Sequence, residues 1–225
     1  MNNTVFTKNY DAPLVNRAEI LRYAGMRGDS GEVDVLIEEC LCECLPKLAY
    51  KVCFMELPIT VYDECVDLTF AKIQSSSLVK NLKVCNSIIL FAATVGIEID
   101  RLIARYGTVS PAKALLFQAL GTERIESLCD AFCNDLKKEK NSLNKGIKPR
   151  FSPGYGDLSI EFQRDIFKVL EPSRRIGLML NESLIMSPSK SVTAIVGICD
   201  GNEKCDDKSG CDFCNEEDCI YRRNI

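Results

Sequence analysis

The run from Val84 to Thr94 constrains the fold of this chain more than any other stretch. It is mostly apolar and rich in β-branched residues, and Gly96 follows it. A run of this length and composition predicts a fully buried β-strand. A helical pattern begins directly afterwards at Glu98.

Capping patterns predict several helices around this strand. Asn16-Arg-Ala-Glu19 is a capping box that opens a helix from Arg17 to about Ala24. Further helices are predicted at 31–48 after Ser30, at about 76–82 after Ser75, at 111–139 after Ser110-Pro111 with an interruption near Gly121, and at 160–170 after Asp157 or Ser159. The lysine-rich stretch 137–148 is predicted to be a loop.

Further strands are predicted at 49–57, 59–66, 178–187 and 191–198, where β-branched and aromatic residues partly alternate with polar ones. We therefore expect an α+β fold, a mostly antiparallel sheet flanked by helices, over residues 1–199. A cysteine-rich tail forms the remainder, residues 200–225. No glycine-rich loop follows a strand, so a Rossmann-type cofactor site is not indicated.

The charge distribution argues against nucleic acid as a partner. The formal net charge is −4, and the sequence shows no concentration of basic residues of the kind that nucleic-acid binding needs.

The first ten residues contain no apolar core of signal-peptide length, and the most apolar run is too short to span a bilayer. We expect a cytosolic protein without membrane contact.

The chain contains thirteen cysteines and no histidine. Without histidine, Ser-His-Asp and Cys-His catalysis and histidine-ligated metal sites are excluded within this chain. Cytosolic thiols stay reduced, so a disulfide framework is not expected. Cys40 and Cys44 lie on the apolar stripe of the helix at 31–48 and should pack as small hydrophobic residues, whereas Cys42 lies off it.

The tail contains a second cysteine pattern, Cys205-x5-Cys211-x2-Cys214-x4-Cys219, in an acidic stretch nearly free of large apolar residues. Such a segment cannot build a core of its own. Four thiolates at this spacing suit tetrahedral zinc or an iron–sulfur cluster. The alternative is a tail whose thiols are free.

The segment Lys148 to Asp157, Lys-Pro-Arg-Phe-Ser-Pro-Gly-Tyr-Gly-Asp, is the main candidate for a binding site. Its prolines and glycines predict irregular backbone, on which Arg150 and Tyr155 are presented. Arginine offers a planar fork of donors for a carboxylate. The alternative is a plain connector with a solvated arginine.

Two blocks of the sequence resemble the activation domain of cobalamin-dependent methionine synthase. Arg150 to Tyr155 is similar to the family's Arg-x-x-Pro-Gly-Tyr, and Gly177 to Val192 is similar to its Gly-x-x-Leu-[Thr/Asn]-Glu-Ser-x-x-Met-x-Pro-x-x-Ser-Val. The likeness covers most of residues 14–199 and is densest from 148 to 198.

The resemblance implies a site for S-adenosylmethionine. Arg150 would hold the carboxylate of the ligand, and Tyr155 would lie between ligand and corrin. A helix glutamate, Glu126 or Glu123, would approach the sulfonium, unless it is a solvated surface residue. The implied ligand contacts are Arg150, Ser152, Pro153, Gly154, Tyr155, Glu126 and Glu182, although Glu182 suits a plain strand carboxylate equally well. Gly156-Asp157 departs from the family's Pro-Ala-Cys-Pro, which should leave the loop more flexible.

The resemblance also implies partners. Activation domains support the methylation of inactive cob(II)alamin, using a methyl group from S-adenosylmethionine and one electron from a flavodoxin or ferredoxin. Because this chain has no histidine for cobalt, the cobalamin would be supplied by a partner chain, a methionine synthase that lacks its own activation domain. Two alternatives remain: an iron–sulfur redox activator of another corrinoid methyltransferase, or a metal-stapled interaction module that binds no ligand.

Overall fold

A computed structural model describes residues 4–26 and 31–201 of the protein. The apolar run forms a strand, Cys85–Thr94 (β6), in the middle of the main sheet, as predicted. In the described residues this sheet has five strands in the order β1-β2-β6-β10-β7, and all neighbours are antiparallel. The other four strands are Phe6–Tyr10 (β1), Tyr50–Pro58 (β2), Lys145–Ile147 (β7) and Ser191–Asp200 (β10).

Two small sheets accompany the main one. The first contains Thr60–Val61 (β3), Cys65–Asp67 (β4) and Lys72–Gln74 (β5), and the second is a hairpin of Met179–Leu180 (β8) and Met186–Ser187 (β9). The helices are Arg17–Tyr23 (α1), Gly31–Cys44 (α2), Ser76–Leu82 (α3), Glu98–Val109 (α4), Pro111–Ser142 (α5), Phe162–Leu170 (α6) and Pro172–Ile176 (α7).

The central strands β6 and β10 are buried on both faces of the main sheet, and alternate residues of β10 belong to two different cores. Ala194, Val196 and Ile198 pack in the core that contains residues of α1, α2, α4 and α5. Ile195 and Cys199 pack in the core with residues of α3, α6 and α7. A strand buried on both faces needs apolar residues at successive positions, which explains why β6 and β10 lack strict alternation.

The predicted caps at Asn16 and Ser75 and the packing of the helical cysteines are confirmed. Ser110 precedes α5 but makes no side-chain cap hydrogen bond. Helix α6 begins after Glu161, so the predicted cap of this helix by Asp157 or Ser159 is wrong. Asn16 accepts a hydrogen bond from the Glu19 amide at 3.2 Å, and Ser75 accepts one from the Leu78 amide at 3.1 Å. Cys40 and Cys44 are buried. Burial raises the pKa of Cys40 to about 11 and that of Cys44 to about 12, so both remain protonated. The predicted cap at Ser30 lies outside the described residues.

Three boundary predictions are wrong. Helix α5 runs through Gly121 without a break and extends to Ser142, and β7 occupies part of the predicted loop at 137–148. The stretch 178–187 is the β8–β9 hairpin instead of one strand. The Asn181 side chain accepts a hydrogen bond from the Ile185 amide at 2.9 Å and so stabilises the turn.

The tail, including Cys205, Cys211, Cys214 and Cys219, lies outside the described residues. Within residues 4–26 and 31–201, no group of three or more Cys, Asp or Glu side chains is arranged to hold a metal ion. None of the helices in the same ranges combines the length and the hydropathy that crossing a membrane requires.

Candidate functional site

The segment that contains Arg150 continues the edge of the main sheet beyond β7. The Lys148 amide donates to the Gly197 carbonyl at 2.8 Å, and Phe151 and Ile195 exchange two backbone hydrogen bonds of 2.8 Å. Pro149 lies between these anchor points. The segment is therefore extended along β10, and Arg150 is held at a fixed position next to α5.

The Arg150 guanidinium is engaged by two carboxylates of α5. Its Nη2 donates to Glu126 Oε2 at 2.5 Å and its Nη1 to Asp130 Oδ1 at 2.7 Å. Burial alone would lower the pKa of Arg150, but neighbouring Cys129, Glu126 and Asp130 raise it above its ordinary value. Arg150 is thus permanently charged, with a side chain only 22% exposed, and it is part of an ion-pair cluster instead of a solvated connector.

The structure distinguishes the two helix glutamates. Glu123 is completely buried and pairs with Arg124, with side-chain exposures of 1% and 0%. Its Oε1 also accepts hydrogen bonds from the Asn16 amide at 3.0 Å and the Ser127 hydroxyl at 2.8 Å. Its carboxylate is saturated by protein groups and fixes the start of α1 to α5. Glu126 is the glutamate on the Arg150 side of the helix.

The residues that follow Arg150 form a tight turn. The Tyr155 amide donates to the Ser152 carbonyl at 3.1 Å, and the Gly154 amide donates to the Leu158 carbonyl at 2.9 Å. Gly154 has φ +91°, a conformation that residues with a Cβ rarely adopt. Pro153 is buried beneath the turn, and Tyr155 is 68% exposed at its tip. The turn therefore presents an aromatic ring to any partner of this face.

Asp157 ties this turn to the start of α3. Its carboxylate accepts hydrogen bonds from the Ser75 hydroxyl at 2.5 Å, the Ser76 amide and hydroxyl at 2.7 Å each, and the Ser77 amide at 3.1 Å. These bonds, led by that of Ser75, hold the pKa of Asp157 well below its ordinary value. Gly156 has φ +54°, and a Cβ there would lie 2.7 Å from Ser77 Oγ. Asp157 therefore anchors the end of the loop to the start of α3, and Gly156 allows the close approach to Ser77.

Glu182 lies apart from this cluster. It is exposed in the turn of the β8–β9 hairpin, and its backbone carbonyl accepts a hydrogen bond from Arg164 Nη2 at 2.7 Å. Within the described residues, no hydrogen bond or ion pair joins Glu182 to the Arg150 segment. The structure thus pairs Arg150 with Glu126, with the Ser152–Tyr155 turn following directly in the chain, and places Glu182 on a separate element.

Sequence reasoning missed Asp130 and Asp157 as parts of this site. Asp130 lies four residues after Glu126, a spacing that places both carboxylates on the same face of α5. That spacing is a signal from which the pair could have been found. Asp157 had no comparable signal, because its partners are about 80 positions away in the sequence.

Among the described residues, an open groove with a volume of about 650 Å³ lies elsewhere on the surface. It is lined by Val15, Arg17, Glu38, Leu41, Cys42, Leu45 and Pro46. None of the site residues named above lines it, so the groove does not contribute to this cluster.

Comparison with known proteins supports the fold assignment. No protein-family model matches the chain, and no curated protein matches it. Among solved structures, it is similar to the MetH reactivation domain bound to AdoHcy, with a TM-score of 0.66 and 14% sequence identity. The match covers 87% of this chain and 78% of that one. The α+β fold is therefore that of a reactivation domain, as predicted.

Proposed function

We propose that this chain binds S-adenosylmethionine and serves as an activation subunit for a separate, cobalamin-binding methionine synthase. In this role it supports the reductive methylation of inactive cob(II)alamin in the cytoplasm. The observation that carries the proposal is Arg150 on the structured segment 148–157, within a reactivation-domain fold. The structural neighbour bound AdoHcy, which is S-adenosylmethionine without its transferable methyl group.

The residues at the cluster fit the amino-acid part of such a ligand. A guanidinium fork binds a carboxylate through two parallel hydrogen bonds, and Glu126 beside it offers a counter-charge to the ammonium or the sulfonium. The Ser152–Tyr155 turn supplies backbone groups and one exposed ring. Arg150 and Glu126 would orient the ligand, and the turn would cover it on the side of the partner.

The chemistry requires two further components. The ligand supplies the methyl group, and an electron donor such as a flavodoxin or ferredoxin supplies the single electron that cob(II)alamin needs to accept it. Cobalamin is brought by the partner, because a chain without histidine has no imidazole to ligate cobalt. The role of this chain is to hold the methyl donor and to dock on the cobalamin-bearing enzyme.

Calorimetry with S-adenosylmethionine and AdoHcy on the full chain is the direct test of ligand binding. We expect saturable binding of both ligands, and no cobalamin retained by the isolated chain through gel filtration. Addition of the chain should then restore methylcobalamin on an inactivated partner in the presence of ligand and electron donor. Absence of binding of either adenosyl ligand, or stoichiometric retention of cobalamin by the chain alone, would overturn the proposal.

A further inference from the structure

In the structure, both arms of the Arg150 fork already hold carboxylates. Nη1 is bound to Asp130 and Nη2 to Glu126, at 2.7 Å and 2.5 Å. A guanidinium has five N–H donors, and these two contacts engage one donor on each Nη. A ligand carboxylate that binds in the planar, two-bond manner typical of arginine, with one of its bonds to Nη1, therefore competes with Asp130 for the same nitrogen.

The two carboxylates differ in how easily they can leave. The Glu126 side chain is 31% exposed, whereas that of Asp130 is 54% exposed. An ion pair whose carboxylate is already half hydrated contributes little binding free energy, so releasing the Asp130 carboxylate into water costs little. Both residues lie on the rigid helix α5, so only side-chain rotation is required.

We propose that Asp130 occupies the place of the ligand's carboxylate on Arg150 in the ligand-free protein and is displaced by it. Asp130 thereby determines both the affinity and the selectivity of the site. This inference rests on the proposed function, because it describes how the same site takes its ligand.

The exchange replaces one carboxylate by another on the same guanidinium. Arg150 therefore keeps two carboxylate partners, Glu126 and either Asp130 or the ligand, before and after binding. A nucleoside without a carboxylate cannot make this exchange, since it offers Arg150 no anion in place of Asp130. The site would thus favour adenosylated amino acids over adenosine derivatives that lack the amino-acid part.

The test is the substitution Asp130→Asn, with Asp135→Asn as the matched control. Asp135 is a part-exposed aspartate on the same helix, and it pairs with Lys8 instead of Arg150. We expect Asp130→Asn to bind AdoHcy and S-adenosylmethionine roughly 1.5- to fivefold more tightly, the range set by removing one partly exposed ion pair. Asp135→Asn should bind like the parent.

Two additional measurements separate competition from a structural effect. The affinity for 5′-methylthioadenosine, which has no carboxylate, should be unchanged by Asp130→Asn. In the Arg150→Ala background, Asp130→Asn should give no gain in AdoHcy affinity, because the competing contact no longer exists. Thermal unfolding of each variant shows that the fold is retained.

The outcomes distinguish this inference from the proposed function. If the parent binds AdoHcy and Asp130→Asn binds it equally or less tightly, competition by Asp130 is wrong while the proposed function stands. An equal gain for 5′-methylthioadenosine would also overturn it. If neither parent nor variant binds an adenosylated amino acid, the proposed function itself fails, and this inference with it.

Discussion

The carboxylate of Asp157 lies 2.7 Å from the backbone amide of Ser76, 81 positions earlier in the sequence. This contact places a negative charge at the start of α3, where backbone amides have no partner within the helix. It also fixes the end of the turn that presents Tyr155. One side chain thus caps a helix and holds the candidate binding loop.

We predict that Asp157→Ala lowers the melting temperature by about 2–4 °C at pH 7, the scale of a lost helix cap in a domain of this size. The difference from the parent should shrink as the pH falls. A depressed carboxyl pKa stabilises the fold fully above the ordinary aspartate pKa of about 3.9, and that stabilisation is lost progressively as the pH falls from there toward the depressed pKa of Asp157. Thermal unfolding at pH 7 and pH 3 measures both effects.

Asp165→Asn is a suitable control for the Asp157 experiment. Asp165 lies on α6 and pairs with Lys168, whose side chain is 75% exposed, so the substitution should change stability little. A constant difference between parent and Asp157→Ala across the pH range would contradict the anchoring role.

We predict that Arg150→Ala weakens binding of S-adenosylmethionine by about 1.5–3 kcal/mol, the range for a charge-assisted hydrogen bond. Arg150→Lys should also bind poorly, because an ammonium cannot reproduce the planar fork. Calorimetry measures both. Arg164→Ala, which removes an exposed arginine of α6, should leave affinity unchanged. If either Arg150 variant binds S-adenosylmethionine as tightly as the parent, Arg150 does not bind the ligand.

We predict that Glu123→Ala destabilises the protein by about 3–5 kcal/mol, because it leaves the buried Arg124 guanidinium without its counter-charge. Arg124 would keep its bonds to the Pro13 and Leu14 carbonyls and a weak one to Ser127, none of which supplies a negative charge. Denaturant unfolding measures the loss. Glu139→Gln, on the same helix but 63% exposed, should change stability by about 0.5 kcal/mol or less. Similar losses for both variants would contradict the structural role of Glu123.

Two helical glycines should respond to alanine in opposite ways. A Cβ at Gly121 would lie 2.8 Å from both Ile99 Cγ1 and Lys190 Cγ, whereas a Cβ at Gly107 would meet nothing within 4 Å. Overpacking costs about 1–3 kcal/mol, which exceeds the helix-propensity gain of up to about 1 kcal/mol. Gly121→Ala should therefore lower, and Gly107→Ala raise, the free energy of unfolding. Stabilisation by both would show that Gly121 is not a packing residue.

We predict that the tail is a separable appendage that binds metal through Cys205, Cys211, Cys214 and Cys219. Strand β10 ends at Asp200, and the Gly201 amide donates to the Asn144 carbonyl at 3.1 Å, so truncation after Gly201 keeps the sheet edge intact. The truncated protein should lose the metal but retain its melting transition and its ligand.

Metal analysis, thermal unfolding and calorimetry on parent and truncated protein test this together. The parent must be prepared without oxygen, because thiolate ligands are lost on oxidation. Aggregation or loss of ligand binding in the truncated protein would make the tail part of the domain. A parent free of zinc and iron would show that these cysteines hold no metal.

Local sequence patterns were sufficient to predict several elements and their buried faces. The apolar run of β6, the capping residues Asn16 and Ser75, and the stripe that contains Cys40 and Cys44 each follow from local chemistry, in which a short window contains all the interacting groups. The fold class could be predicted from these elements together with two motif blocks, whereas the pairing of the Arg150 segment with β10 depends on residues far away in the sequence.

Which charged side chains of the site pair with each other depends on the tertiary structure. Glu123 and Glu126 are three residues apart on one helix, yet one is saturated by Arg124 and Asn16 while the other faces Arg150. Asp157 gains its role from residues 80–82 positions away. Periodicity specifies which face of an element is apolar, but the partner of a charged side chain depends on how distant elements pack. For that reason the candidate residues were foreseeable and their pairings were not.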